Sequence, residues 1–219
     1  MKRIVAAEKL FTGTDWLMNH AMVLEENTLQ SFVPIVSLSE KPEQVYPYII
    51  PALIDLQIYG AGGQLLSVFP TVEALALLQD YCIKGGAAWF QPTVATNSHE
   101  VIHACIDAVR KFQQIPGNRC IGLHVEGPWI NPEKRGAHLS EYIYRPNKEQ
   151  VESLLEYGKG VITMITLAPE IVDRESVDLI QSKGVVVSAG HSNANYATAT
   201  NAFNLGITTA THLYNAMSP

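Results

Sequence analysis

Cysteine is scarce in this chain, and its scarcity excludes two classes of small protein. The 219 residues include three cysteines, Cys82, Cys105 and Cys120. They are odd in number, widely spaced and without a CxxC pair, which excludes a disulfide scaffold and a zinc-finger module. Because such thiols stay reduced in the cytoplasm, we expect a cytoplasmic protein in which all three are mostly buried.

Long apolar runs and basic clusters are also missing. No uncharged apolar stretch approaches the roughly 18 residues of a membrane span. The basic tip at residues 1–3 is followed by too few apolar residues for a signal peptide. Lysine and arginine number 15 against 21 acidic residues, and the net charge is −6. We therefore expect neither a membrane nor a nucleic acid as partner.

The pattern of the chain changes near residue 50. Residues 1–50 contain short apolar pieces separated by turn residues, which predicts several short strands of a small β unit. Residues 51–219 alternate apolar strands with amphipathic helices, which predicts a parallel sheet covered on both faces. The predicted strands of this α/β part lie at 49–57, 88–94, 120–125, 161–167, 185–189 and 207–211, and the helices at 71–84, 98–111, 147–156, 173–183 and 193–204.

A TIM-type barrel and an open doubly wound sheet both fit this alternation, and the position of the polar residues separates them. Polar side chains occur at the carboxyl ends of several different strands, whereas an open sheet places its site at one switch point. They are Gln57, Gln91, Thr93, His124, Glu126, His191 and His212. The pattern favours a barrel. The Gly60–Gly63 stretch lacks the spacing of a phosphate-binding loop and is interpreted as a flexible turn.

Three of these residues form a candidate metal site. His191 and His212 follow strands that are neighbours in the predicted order, and Glu126 would lie across the same mouth. Two histidines, one carboxylate and an open position suit Zn²⁺, with Fe²⁺ as the alternative. A single histidine at a strand end is more often a hydrogen-bonded scaffold residue, but two at matching positions beside a carboxylate favour a metal. His124 shares the face of Glu126 and either supports the ligands or is structural. His138 lies in the loop that follows and is either exposed or a substrate contact.

Several motifs resemble the N-acetylglucosamine-6-phosphate deacetylases of the amidohydrolase superfamily. They are GLHVEGPW at 122–129, GAH at 136–138, SAGHS at 188–192, THLYNAM at 211–217 and the region 85–96, which contains FQPT. The resemblance implies a (β/α)8 barrel flanked by a β-sandwich to which residues 1–50 contribute. It implies hydrolysis of the N-acetyl group of N-acetylglucosamine 6-phosphate, a small sugar phosphate, by a protein that is a homodimer at full length.

The resemblance also implies roles for particular residues. Glu126, His191 and His212 would hold one divalent metal and its water, and His138 would contact the sugar and polarise the amide carbonyl. Ala137, Asn215 and Ala216 would contact the substrate. Gln57 matches a glutamine of the family, but Tyr59 stands where the family commonly has asparagine, so a fully ligated second metal site is not expected. Gln57 and His124 are either second-site residues or structural ones.

The resemblance covers about six of the eight barrel strands. The family uses an aspartate at the end of the eighth strand as general base, which would lie beyond residue 219, so we expect the 219-residue chain alone to be inactive or nearly so. Two alternatives stay open. One is another amidohydrolase acting on an N-acyl or cyclic amide substrate, and the other is a metal-binding remnant without catalysis.

Overall fold

The N-terminal part of the molecule is a small four-stranded sheet. The computed structural model describes residues 1–218 and divides into two compact units between Ala52 and Leu53. The strands of the first unit are β1 (Lys2–Phe11), β2 (Trp16–Glu25), β3 (Thr28–Pro34) and β4 (Gln44–Ile49), in the order β3-β2-β1-β4. β2 pairs antiparallel with β1 and β3, and β4 pairs parallel with β1. The small β unit expected from the sequence is confirmed, with longer strands than predicted.

The second unit is a parallel six-stranded sheet with helices between the strands. Its elements are β5 (Leu53–Ile58), the short hairpin β6 (Gly60–Ala61) and β7 (Gln64–Leu65), α1 (Val72–Lys84), β8 (Ala87–Ala95), α2 (His99–Phe112), β9 (Leu123–Glu126), α3 (Lys148–Tyr157), β10 (Ile162–Leu167), α4 (Arg174–Ser182), β11 (Val186–Ala189), α5 (Tyr196–Asn204) and β12 (Thr209–Ala210). The order β12-β11-β10-β9-β8-β5 follows the chain without reversal. A doubly wound sheet would reverse at its switch point. The expected partial TIM-type barrel is therefore confirmed.

The helices begin where side chains can accept hydrogen bonds from their first turns. Each N-cap side chain accepts a hydrogen bond from the backbone N–H of the third helical residue, which is the usual way to satisfy these groups. The caps are Thr71, Ser98, Asn147, Asp173 and Asn195. Asn147 forms a reciprocal capping box with Gln150. All five helices that the sequence predicted are present.

Three predicted boundaries are wrong, each for a local reason. The strand predicted at 49–57 begins at Leu53, because Ile49 pairs with Leu10 in the N-terminal sheet. The strand predicted at 120–125 begins at Leu123, after Gly122 at φ 126°. The last helix begins at Tyr196 and not at Asn193, because Asn193 is hydrogen-bonded to two glutamates outside the helix.

The core of the second unit lies between the sheet and its helices. Phe90, Val94, Leu123, Ile165 and Leu167 come from the strands and are fully buried against apolar helix residues. The three cysteines are free and buried, as expected. Among residues 1–218, no helix is both long enough and apolar enough to cross a membrane.

Candidate metal centre

Three strands bring one carboxylate and two imidazoles to the same end of the sheet. Glu126 is the last residue of β9, while His191 and His212 each stand two residues beyond the end of β11 and β12. One ligand atom from each residue lies within 4.8 Å of the other two. Both histidines have positive φ, 49° and 36°, a backbone conformation uncommon outside glycine. The grouping expected from the sequence is therefore present in the structure.

The two histidines have the same proton arrangement. Nδ1 of His191 lies 2.9 Å from the carbonyl oxygen of Lys134, and Nδ1 of His212 lies 3.1 Å from that of Asn215. A carbonyl oxygen only accepts, so each Nδ1 carries a proton, and each ring in its neutral form presents a lone pair at Nε2. This is the orientation that a metal-binding imidazole needs.

Three acceptor atoms therefore converge on one point. Nε2 of His191 lies 2.9 Å from Nε2 of His212, and the two lie 3.3 and 3.2 Å from Oε1 of Glu126. Acceptors at such distances need a cation among them. Metal–nitrogen bonds of about 2.0–2.1 Å would set the edge of a tetrahedron at roughly 3.3 Å. The donor set and its spacing therefore fit a divalent metal.

The pKa shifts of Glu126 and His191 also support a cation at this site. Burial, the largest influence, would raise the pKa of this fully buried carboxyl. A hydrogen bond from the protonated form of His191 and one from Tyr59, together with the charges of His138 and His191, outweigh burial and bring the pKa down to about 2. For His191, burial lowers the pKa, but the hydrogen bonds with Glu126 and Lys134 reverse this and leave the pKa raised. A positive charge is favoured beside an ionised Glu126.

Both oxygens of Glu126 accept hydrogen bonds from residues at or just after the end of β5. Gln57 donates from Nε2 to Oε1 at 3.0 Å, and the phenol of Tyr59 donates to Oε2. Gln57 also donates to the Tyr59 hydroxyl at 2.8 Å. Burial and the hydrogen bond to Glu126 raise the pKa of Tyr59, so the phenol remains a donor at neutral pH. Gln57 and Tyr59 thus act here as hydrogen-bond donors to the carboxylate.

His138 reaches the cluster from the loop after β9, with the opposite tautomer. Its Nδ1 accepts from the backbone N–H of Thr96 at 3.3 Å and lies 2.7 Å from the Thr96 hydroxyl. The proton therefore lies on Nε2, which points toward Oε2 of Glu126 at 3.8 Å. Burial and the neighbouring His191 lower the pKa of His138 to about 4, so the ring is a neutral donor. A neutral N–H here can polarise a carbonyl oxygen.

His124 lies below the cluster in a chain of buried hydroxyl groups. Its Nε2 is 2.6 Å from Oγ1 of Thr166, which is 2.6 Å from Oγ1 of Thr211, which in turn is 2.7 Å from Oγ of Ser188. Burial is the main cause that lowers the pKa of His124 to about 4. Among the described residues, His124 is not part of the group of potential metal-ligand atoms formed by Glu126, His191 and His212.

The other expected substrate residues lie close in sequence to histidines of the cluster. Ala137 is exposed and precedes His138, and Asn215 is exposed while its backbone holds the ring and carbonyl of His212. Ala216 is half-buried at φ 48°. Thr96 and Glu170 were not predicted from the sequence. Both are polar residues shortly after the end of a barrel strand, and that position is the sequence signal that could have identified them.

A parallel barrel with potential metal ligands at the carboxyl ends of its strands is an arrangement found among metal-dependent hydrolases. No protein-family model matches the chain. It is 34% identical to the N-acetylglucosamine-6-phosphate deacetylase of Haemophilus influenzae over 213 residues, which cover 96% of this chain and 56% of the relative. It is 37% identical to the N-acetylgalactosamine-6-phosphate deacetylase of a Shewanella species, over 78% of this chain and 43% of the relative.

A solved structure gives the same result. The N-acetylglucosamine-6-phosphate deacetylase of Pasteurella multocida superimposes with a TM-score of 0.87 at 32% identity, and the match covers all of this chain and 58% of that one. The chain is a part-length homologue of the N-acetylglucosamine-6-phosphate deacetylases, which confirms the resemblance seen in the motifs. It spans little more than half the length of these relatives.

Proposed function

We propose that this chain forms the metal-binding part of a deacetylase that hydrolyses N-acetylglucosamine 6-phosphate to glucosamine 6-phosphate and acetate. The observation that carries the proposal is the convergence of the Glu126, His191 and His212 acceptor atoms beside the Nε2–H of His138. One divalent ion is proposed, with Zn²⁺ favoured by two imidazoles and one carboxylate, and Fe²⁺ as the alternative. The hydrogen bonds that Gln57 and Tyr59 give to Glu126 support a single ion.

The roles of the residues follow from their proton arrangements. A bound divalent ion would supply Lewis acidity and an activated water. Glu126, His191 and His212 would hold the ion. Tyr59 and Gln57 would keep the Glu126 carboxylate ionised and in place. Nε2–H of His138 would donate to the acetamide carbonyl oxygen as negative charge develops there.

The remaining substrate contacts are proposed from position alone. Ala137 precedes His138 at the opening, and Asn215 and Ala216 follow His212 there, so their backbone groups are proposed to orient the sugar. A cytoplasmic location is proposed, supported by three free, buried thiols. A homodimer is proposed from the resemblance and is tested by light scattering of the purified protein.

A second substrate is favoured by a specific observation. The Shewanella relative, at 37% identity, is named for N-acetylgalactosamine 6-phosphate. That sugar is an epimer of the first and presents the same acetamide to the same donors. Both sugars fit the chemistry proposed above. A competition assay between the two is therefore needed to show which one is the preferred substrate.

The deciding experiment measures acetate release after Zn²⁺ loading. The 219-residue chain and the longest natural protein that contains it are given N-acetylglucosamine 6-phosphate, its galactose epimer, the unphosphorylated sugar and a cyclic amide. Deacetylation of a phosphorylated sugar, lost in Glu126→Gln and strongly reduced in His138→Asn, is the expected result. Turnover of the cyclic amide alone, or no turnover by either protein with metal bound, would overturn it.

A further inference from the structure

Glu170 lies three residues beyond β10, between the loops that follow β9 and β11. Its carboxylate accepts three hydrogen bonds and so joins the two loops. Asn131 donates from Nδ2 at 3.0 Å and Asn193 from its backbone N–H at 2.6 Å, both to Oε1, and Ser192 donates from Oγ at 2.7 Å to Oε2. Hydrogen bonds to a charged carboxylate are stronger than those between neutral groups.

Two of these donors adjoin the metal-site residue His191. Ser192 and Asn193 follow it directly, and Glu170 therefore fixes the chain on the carboxyl side of a residue at φ 49°. A non-glycine residue in this region persists only where its surroundings hold it. Ser192 is held further, since its Oγ also accepts from the backbone N–H of Ala194 at 3.0 Å.

The third donor belongs to the turn that orients the imidazole. The backbone N–H of Asn131 donates to the carbonyl oxygen of His191 at 2.9 Å. Asn131 also caps the 3₁₀ turn Pro132–Lys134, and the carbonyl of Lys134 accepts from Nδ1 of His191. Through Asn131, Glu170 therefore holds the group that fixes the proton on Nδ1 and directs Nε2 at Glu126.

We propose that Glu170 is the positioning residue for His191, holding its backbone through Ser192 and Asn193 and its ring through the Asn131 turn. The proposal rests on the metal site of the proposed function and deepens it. The Glu170 carboxylate has no hydrogen bond with the grouped ligand atoms, so its proposed effect passes through His191.

The test compares metal binding and ring geometry in the 219-residue chain. Removing an outer hydrogen-bond partner of a metal ligand typically weakens metal binding about 10- to 100-fold. Glu170→Ala is expected to weaken Zn²⁺ binding by that amount, measured by competition with a chromogenic chelator. It should also change the visible absorption of the Co²⁺-loaded chain. Glu170→Gln keeps the shape and one acceptor oxygen and should lose less than about tenfold.

Two controls separate positioning from general stability. Val177→Ala removes buried packing from α4, so it should lower the melting temperature without changing the Co²⁺ spectrum. Glu152→Ala, on the exposed side of α3, should change neither. If Glu170→Ala does not fold, Glu170→Gln decides, together with the ¹H–¹⁵N correlations of the His191 ring in the metal-free chain. Recorded at a pH at which the ring is neutral, these correlations should show loss of the single Nδ1–H tautomer.

The outcomes distinguish this inference from the function on which it rests. Unchanged Zn²⁺ affinity and an unchanged Co²⁺ spectrum in both Glu170 variants would overturn the positioning role. So would a loss of affinity in Val177→Ala equal to that in Glu170→Ala. If the parent chain itself binds no metal, the proposed metal site fails, and the His191 tautomer in the metal-free variants alone decides the role of Glu170.

Discussion

The Nε2 atoms of His191 and His212 lie 2.9 Å apart, although each ring has its proton on Nδ1. Two lone pairs at this distance repel each other, and Oε1 of Glu126 adds a third acceptor. The arrangement is stable when a cation lies among the three atoms. Hydrogen bonds with Glu126 and Lys134 raise the pKa of His191 despite its burial, which is consistent with a site that favours positive charge.

Metal should therefore stabilise the chain through these three residues. A ligand at 100 times its dissociation constant adds about 2.7 kcal/mol to the free energy of unfolding. We expect Zn²⁺ to raise the melting temperature and a chelator to reverse the effect. Glu126→Gln, His191→Asn and His212→Asn should each remove most of the shift, measured by calorimetry. His103→Asn, on α2, should retain it; a shift that survives in the three ligand variants would place the metal elsewhere.

The phenol of Tyr59 should stabilise the fold by donating a hydrogen bond to the buried Glu126 carboxylate. Leaving a buried charged group without a donor costs about 1–3 kcal/mol or more. Tyr59→Phe is expected to lower the free energy of unfolding of the metal-free chain by about this amount, measured by urea titration at pH 7. Tyr46→Phe is the matched control, because its phenol bonds an exposed Gln44 side chain, and it should change stability by less than about 0.5 kcal/mol. Equal effects would contradict the assigned role.

The neutral His138 should be protonated on Nε2. The backbone N–H of Thr96 can only donate, and it is directed at Nδ1. Long-range ¹H–¹⁵N correlation spectra near pH 7 are expected to show the Nε2–H tautomer. In an active protein, His138→Asn should lower kcat about 10²–10³-fold, the usual loss when one donor to a developing oxyanion is removed. An Nδ1–H tautomer would contradict both expectations.

Position 190 requires glycine because Thr166 and Thr211 lie too close to leave room for a Cβ atom, and not because of its backbone angle. A Cβ there would lie 2.6 Å from Cγ2 of Thr166 and 3.1 Å from Cβ of Thr211. Overpacking of this kind costs about 1–3 kcal/mol. We expect Gly190→Ala to destabilise the chain by that amount and to weaken Zn²⁺ binding, since His191 is the next residue. Gly85→Ala has only ordinary contacts at its Cβ and should leave Zn²⁺ binding unchanged.

The sequence predicted the barrel class and the grouping of Glu126, His191 and His212 because both depend on strand order. When parallel strands follow each other in chain order, the backbone alone brings the residues at their carboxyl ends together, without any contribution from side-chain contacts. Glu170 was not identified, because its partners lie on two other loops and no local pattern reveals which loops meet. The role of Tyr59 was missed for the same reason: its departure from the family pattern was visible, but the donor role required the three-dimensional distance to Glu126.

The buried His124 should make the stability of the metal-free chain depend on pH. Its pKa is about 4 in the folded chain and near 6.5 when unfolded, so between these values the unfolded state binds a proton that the folded state does not. The free energy of unfolding therefore falls as the pH drops through this window, by roughly 3 kcal/mol for this group, and is unaffected by it above the window. His138 acts in the same direction, whereas the raised pKa of His191 acts in the opposite one.

The contribution of His124 is isolated by comparing pH slopes. His124→Gln removes the titrating ring but keeps a polar side chain near Thr166. Urea titrations of the parent and the variant at pH 7, 6, 5 and 4.5 should show a steeper loss of stability in the parent as the pH falls. Both proteins keep the buried His138 ring unprotonated, but only the parent must also keep the ring of His124 unprotonated against its unfolded state. Parallel curves for the two proteins would show that His124 takes up a proton in the folded chain as readily as in the unfolded one, and the hydroxyl chain around Thr166 would then have to accommodate a charge.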